Sequence, residues 1–221
     1  MSGRAPTAQE AALSALRSAI STRELIPGQQ IVQERLSERL GVSRVPLREA
    51  LKVLEGEGQV VYAPHRGYFV ADLSLTDLIE VYRIRDLLES EAVRVGVADA
   101  GDDDIARIAG FVSAWESAAA VDDMAAMTAA NRDLHFALIA TCGMPRLIRM
   151  IRVLWDATDA YRAAYYIDAA SRQHVEREHR AILAALRKRQ PDTVVKLLRE
   201  HRARAVERLT VVLGVAEPLS G

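Results

Sequence analysis

The sequence predicts a mainly α protein, an N-terminal winged helix-turn-helix followed by an antiparallel all-helical bundle. Three observations predict it. Residues up to about 58 give three helical stretches, the last two separated by the short turn GVS. Two β-rich runs follow in VVYAPHRGYFVA, folded around Pro-His-Arg-Gly as a small hairpin. From Ser74 onward nearly every stretch carries the helical apolar period, and no strand signal interrupts it.

Each element has a local cause. Residues 9–24 are amphipathic, with Ala12, Leu13, Leu16 and Ile20 on one face. LIPGQQIV then breaks the helix with Pro-Gly and ends in a short β-branched pair. Helices over Gln33–Leu40 and Arg44–Gly58 come next. Ser43 stands where a side chain can cap the second of these, and Pro46 falls in its first turn, where a missing N–H costs little. Beyond the hairpin, helices are expected at 75–98, 102–119, 122–141, 145–168, 171–189 and 192–213, broken at DAGDDD, AVDD, CGMP, DAAS and QPD. Six helices joined by short breaks read as a bundle. The domain boundary is expected at Ala71–Ser74, giving residues 1–72 and 73–221.

Composition narrows the function classes. The 221 residues are 50% apolar, 27% charged and only 5% aromatic, which excludes disorder and low-complexity character and leans towards helix. The single cysteine, Cys142, cannot form an internal disulfide and fits a reducing cytoplasm. No apolar run approaches the roughly 20 residues of a membrane span, and the start MSGRAPTAQEAA lacks the apolar stretch of a secretory signal. The net charge of −1 argues against coating nucleic acid by bulk positive charge. Any DNA contact therefore needs a local patch.

Arg44, Arg48 and Lys52 form such a patch, spaced four apart on the third helix, with Leu47, Ala50, Leu51 and Leu54 behind them. A helix with an apolar back and a cationic front suits the major groove, where arginine pairs with guanine O6 and N7. Ser43 and the helix N-terminus can take a phosphate. His65, Arg66 and Gly67 sit at the hairpin tip, placed for a flanking minor groove. The stripe alone also fits an ordinary solvated face.

A second constellation lies in the bundle. Asn131 and His135 share a helical face as i and i+4; His179 lies in a stripe with Val175, Ile182 and Leu186; His201 lies in one with Val194, Leu198 and Ala205. Three imidazoles and an amide thus point inward from three helices, whereas His174 should face solvent. Spacing leaves two readings open, satisfied core histidines or a metal cluster. Three imidazoles with one oxygen donor suit zinc, nickel, manganese or iron. Arg85 is also inward, between Leu78, Tyr82 and Leu88: either an intrahelical pair with Glu89 or a clamp for an effector carboxylate. Tyr161, Arg162, Tyr165 and Tyr166 fit a pocket lining, a dimer face or plain packing.

ERLSERLGVSRVPLREALKVLEGEGQVVYAPHRGYFVADLS resembles the winged-helix domain of GntR-family transcription regulators through LGVSR, PLREAL and RGYFV in order. The following VYRIRDLLESEAV resembles the opening helix of the FCD-type domain of their FadR-like subfamily. The resemblance implies a cytoplasmic homodimeric regulator, a repressor in the commoner case, that reads an inverted repeat in double-stranded DNA. It also implies a small-metabolite effector bound in the helical domain, with Arg85 in a helix lining the cavity; charge complementarity points to a small organic acid. Arg44 and Arg48 would touch bases or phosphates, and His65 and Gly67 match the wing positions. Asn131, His135, His179 and His201 match the FCD metal set, with Asn131 where many relatives carry Asp. The neutral amide leaves the site one charge more positive, which favours an anionic ligand. The alternative is a helical-bundle metalloenzyme acting on a small organic acid. Glu176-Arg-Glu-His179 is its one Glu-x-x-His, and a di-iron bundle needs two. No Gly-rich phosphate loop, His-Glu-x-x-His or serine elbow appears.

Overall fold

The computed structural model describes residues 6–21, 24–72, 74–162 and 169–214. The chain divides into two compact units, Met1–Ser74 with Asp156–Ala160, and Leu75–Trp155 with Tyr161–Gly221.

The first unit contains α1 (Ala8–Ser21), β1 (Gln30–Ile31), α2 (Gln33–Leu40), α3 (Arg44–Gly56), β2 (Val60–Ala63) and β3 (Gly67–Val70). Helix α3 lies against both α1 and α2. Its buried back, Leu47, Ala50, Leu51 and Leu54, meets a core that includes Ala12, Leu16 and Ile20 of α1 and Leu36 of α2. The chain leaves α2 through Gly41 at φ 62°, a left-handed conformation that a side chain would strain. Ser43 occupies the N-cap position of α3 with extended backbone, but its side chain makes no capping bond, contrary to expectation. The expected hairpin forms, with Tyr62 opposite Tyr68 and Ala63 opposite Gly67. A third strand was not foreseen: β1 pairs antiparallel with β3, giving the order β1-β3-β2. The Gln-Ile end of the Pro-Gly segment thus becomes a strand because β3 offers it an open edge.

The second unit holds α4 (Leu75–Asp99), α5 (Asp102–Ala120), α6 (Met124–Ala140), α7 (Pro145–Arg162), α8 (Ala169–Arg187) and α9 (Pro191–Gly214). Short polar caps start the helices: Asp104 Oδ2 accepts from the Gly101 N–H at 3.2 Å, and Asp123 Oδ1 accepts from that of Ala126 at 3.0 Å. Helix α4 packs on α6 and α9, α5 on α6 and α8, and α8 on α9. The main core gathers Val93 and Val97 of α4, Ile108 of α5, Leu134 and Leu138 of α6, Ile182 and Leu186 of α8, and Val194 and Leu198 of α9. A second cluster, Ala92, Ile139, Ile151 and Trp155, joins α7 to α4 and α6. Tyr161 is buried; Tyr165, Tyr166 and the Arg162 side chain lie outside the described residues. No described helix is long and apolar enough to cross a membrane.

Helix α4 passes the end of α6 at van der Waals distance only because residue 96 is glycine. A Cβ there would meet Thr141 Oγ1 at 2.1 Å and the Cys142 backbone nitrogen at 2.6 Å. Gly96→Ala should therefore destabilise the protein by about 1–3 kcal/mol, as overpacking does. Gly110→Ala, in the same fold but with open space around it, should stabilise it by about 0.5–1 kcal/mol. Urea denaturation of the two variants checks the contrast.

Candidate DNA-contact surface and metal centre

On the first unit, α3 presents Arg44, Arg48 and Lys52 to solvent while its opposite face is buried. Ion pairs already orient two of these cations. Arg44 Nη2 donates to Glu34 Oε1 on α2 at 2.6 Å, and Lys52 Nζ to Glu49 Oε1 at 3.1 Å. His65 and Arg66 are exposed in the turn between β2 and β3, and Gly67 opens β3. His65 holds φ at 61°, so the turn keeps a non-glycine residue in the left-handed region. The Arg66 guanidinium lies 5.1 Å from the Phe69 ring centre, and its carbonyl accepts from Gln30 of β1 at 2.6 Å. Val45, beside Arg44, is exposed among these cations; helical spacing had not singled it out.

In the second unit, α6 supplies Asn131 and His135, α8 supplies His179 and α9 supplies His201, all buried. One ligand atom from each of the three histidines lies within 4.8 Å of the others. His135 stacks against His201 with ring centres 5.2 Å apart, and His179 stands 5.4 Å from His201. His179 Nε2 lies 3.1 Å from Asn131 Oδ1, and the other ring nitrogen, Nδ1, is buried with no hydrogen-bond partner. His201 Nδ1 donates to Glu178 Oε2 at 2.7 Å. Burial, helped by His201, holds the His179 pKa well below the usual histidine range. A neutral imidazole is the form that ligates a metal. The orphaned nitrogen and the three converging rings fit a divalent cation.

Beside this cluster lies a network of buried charges. Glu89 Oε1 accepts from Arg85 Nε at 2.8 Å and from the Trp155 indole at 2.7 Å, and Oε2 accepts from Arg202 at 2.9 Å. Arg202 also reaches Asp86 at 2.6 Å. The Arg85 guanidinium stacks 4.1 Å from the Trp155 ring centre, and Trp155 in turn stands 5.0 Å from His135. Arg85 is thus paired with Glu89, one ring removed from His135. Burial pushes the Glu89 carboxyl up, but Arg85 and Arg202 outweigh it and hold the group below its ordinary range. The Arg202 and Trp155 members escaped sequence reasoning; only the spacing of Arg85 and Glu89 signalled the network. His174 is half-buried, with its side chain partly open to solvent, and its Nε2 lies 3.3 Å from Glu178.

The model described as "Bacterial regulatory proteins, gntR family" matches residues 8–70, and that described as "FCD domain" matches residues 80–204. The chain is 31% identical to the HTH-type transcriptional regulator McbR of Escherichia coli (strain K12) over 175 residues, covering 78% of this chain and 79% of that protein. It is 27% identical to the Nta operon transcriptional regulator of Aminobacter aminovorans over 187 residues, covering 85% and 87%. A solved structure of E. coli McbR/YncC superposes with a TM-score of 0.87 at 26% identity, over 95% of this chain and 100% of that one.

Two measurements test the second unit. Glu89→Gln should cost about 3–5 kcal/mol in urea denaturation, because two buried guanidinium groups lose their carboxylate. Acidification should act through His179. The unfolded chain takes up a proton at about pH 6.5 and the folded site does not, so stability is full above that pH and falls below it. Thermal melts of metal-free protein across about pH 7.5 to 5.5 should show this slope, and His179→Gln should remove most of it.

Proposed function

The chain belongs to the GntR family of bacterial transcription regulators and carries an FCD domain, and from that premise we propose that it is a metabolite-responsive, sequence-specific repressor whose helical bundle holds a divalent metal beside its effector. The observation that carries the DNA-reading half is the exposed Arg44–Arg48–Lys52 stripe on α3, whose opposite face is buried core. Arg44 and Arg48 read base edges. Ser43 and Lys52 hold phosphates, while His65, Arg66 and Gly67 enter the neighbouring minor groove. Glu34 and Glu49 exchange for DNA groups when the helix docks. Every match reported above is to a regulator, and none supports the metalloenzyme alternative.

Residues 1–72 act as the DNA-binding domain and 73–221 as the effector-binding and dimerisation domain. Exposed apolar side chains support a homodimer: Ile84 and Leu87 on α4, Met150 and Val153 on α7. Two paired recognition helices then read an inverted repeat, with half-sites about one helical turn apart.

Asn131, His135, His179 and His201 hold the metal, of which zinc, nickel, manganese and iron all suit the donors. When bound, the ion supplies Lewis-acid attraction for an anionic group. The protein groups do the rest. The neutral donor set leaves the ion's charge for a small organic acid, and Trp155 and Trp115 flank His135 and His179 as an apolar wall. Arg85 takes the effector carboxylate by exchanging it for Glu89, like for like. That exchange changes the charge balance of the buried network through which Arg202 joins α9 to α4, a coupling free energy that reaches the operator through the dimer.

Affinity selection of genomic DNA fragments on the purified chain, at stated salt, should enrich one short inverted repeat. Arg44→Ala and Arg48→Ala should each weaken binding to it by about 1–3 kcal/mol. Flat enrichment with and without metal would refute a sequence-reading regulator. His135→Ala should abolish retention of co-purified metal, and Arg85→Ala the response of operator binding to an effector. Leu87→Asp should turn a dimer into a monomer in light scattering.

A further inference from the structure

Glu178 has no place in the ligand set, yet its two oxygens are fully employed. Oε2 accepts from His201 Nδ1 at 2.7 Å. Oε1 accepts from Arg204, and His174 Nε2 lies 3.3 Å from it. The carboxylate is buried.

The geometry follows from helix phase. Glu178 and His179 are successive residues of α8, about 100° apart around the axis at roughly 3.6 residues per turn. His179 therefore enters the imidazole cluster while Glu178 turns to α9 and meets His201 from behind. One helix thus contributes a histidine of its own and the support of a neighbour's. An ionised carboxylate can only accept, so His201 carries its proton on Nδ1, and Nε2 is the ring nitrogen that remains able to ligate a metal.

The donor set itself is neutral, three imidazoles and the Asn131 amide. A dication there lies buried without an anion in direct contact. Of the two buried glutamates beside the cluster, Glu89 is consumed by two guanidinium groups and an indole. Glu178 instead bonds directly to a member of the set.

We propose that Glu178 is a positioning residue for a divalent cation at this cluster. It fixes the tautomer and orientation of His201, and through that ring it supplies the negative charge the neutral Asn131 does not. The inference rests on the metal reading above. Both Glu178 oxygens are engaged, so it acts through His201 and not as a ligand.

The test is zinc affinity of the full chain, stripped with a chelator and titrated with zinc ions against a chromophoric competitor. Glu178→Gln should weaken zinc binding by about 10–100-fold, the usual effect of losing such a partner, with cobalt absorption bands shifted in the loaded variant. Adding Asn131→Asp to Glu178→Gln should recover much of the loss by placing the charge in the set itself. Wild-type zinc uptake with unchanged affinity in Glu178→Gln overturns the inference alone; no uptake by the wild-type chain overturns the metal reading with it. Long-range proton–nitrogen spectra of the metal-free wild type, assigned with His201→Gln, test it without relying on a Glu178 variant. They should show His201 protonated on Nδ1, and protonation on Nε2 overturns the inference.

Discussion

The second unit is organised around one carboxylate that water cannot reach. Glu89 receives hydrogen bonds from Arg85 on its own helix, from Trp155 on α7 and from Arg202 on α9. An isolated buried charge would be prohibitively costly, so Glu89 requires buried partners once it is in place. Arg202 extends the constraint to Asp86, back on α4. The helix that carries His201 is thereby tied to α4 in one register, because Arg202 is the next residue. Trp155, anchored by its indole N–H to the same carboxylate, presents its ring to His135. The imidazole cluster inherits its geometry from a charge network that contributes no ligand to it.

The two polar assemblies differ in electrical character. Around Glu89 the opposing charges satisfy one another within the protein. Beside the histidines stands the Glu178 carboxylate, set behind His201. Converging imidazoles and an amide, with a carboxylate set behind them, suit a guest that brings its own positive charge. Such a site can discriminate between ions by donor softness and by how far the rings adjust.

Much of this was legible in the sequence, for identifiable reasons. Helical phase alone placed Asn131, His135, His179 and His201 inward, because a stripe of apolar residues flanks each one. The α3 stripe was equally plain, since its apolar back and cationic front alternate with strict periodicity. What escaped is what no local pattern encodes. The pairing of β1 with β3 depends on an edge made available about forty residues later. Arg202 is an ordinary arginine in a basic stretch until α9 is laid against α4. Ser43 has the right residue type for a cap, yet the side-chain bond is not made. Arg85 was read as inward, with Glu89 as a marginal intrahelical partner or an effector in its place, and burial makes that pair part of a larger network.

The order β1-β3-β2 means that the wing is not a self-contained hairpin. Its central strand is completed by a segment preceding α2 and α3, with Gln30 opposite Phe69 and Ile31 opposite Tyr68. Closing that loop restricts the chain over roughly forty residues and must be offset by the helices packed inside it. The third strand and the recognition helix therefore gain stability in the same cooperative step. A fragment beginning at α2 would keep the exposed α3 stripe and the β2–β3 turn while leaving β3 with an open edge. The winged unit is a closed circuit of chain, and its minimal portable form starts upstream of α2 and α3.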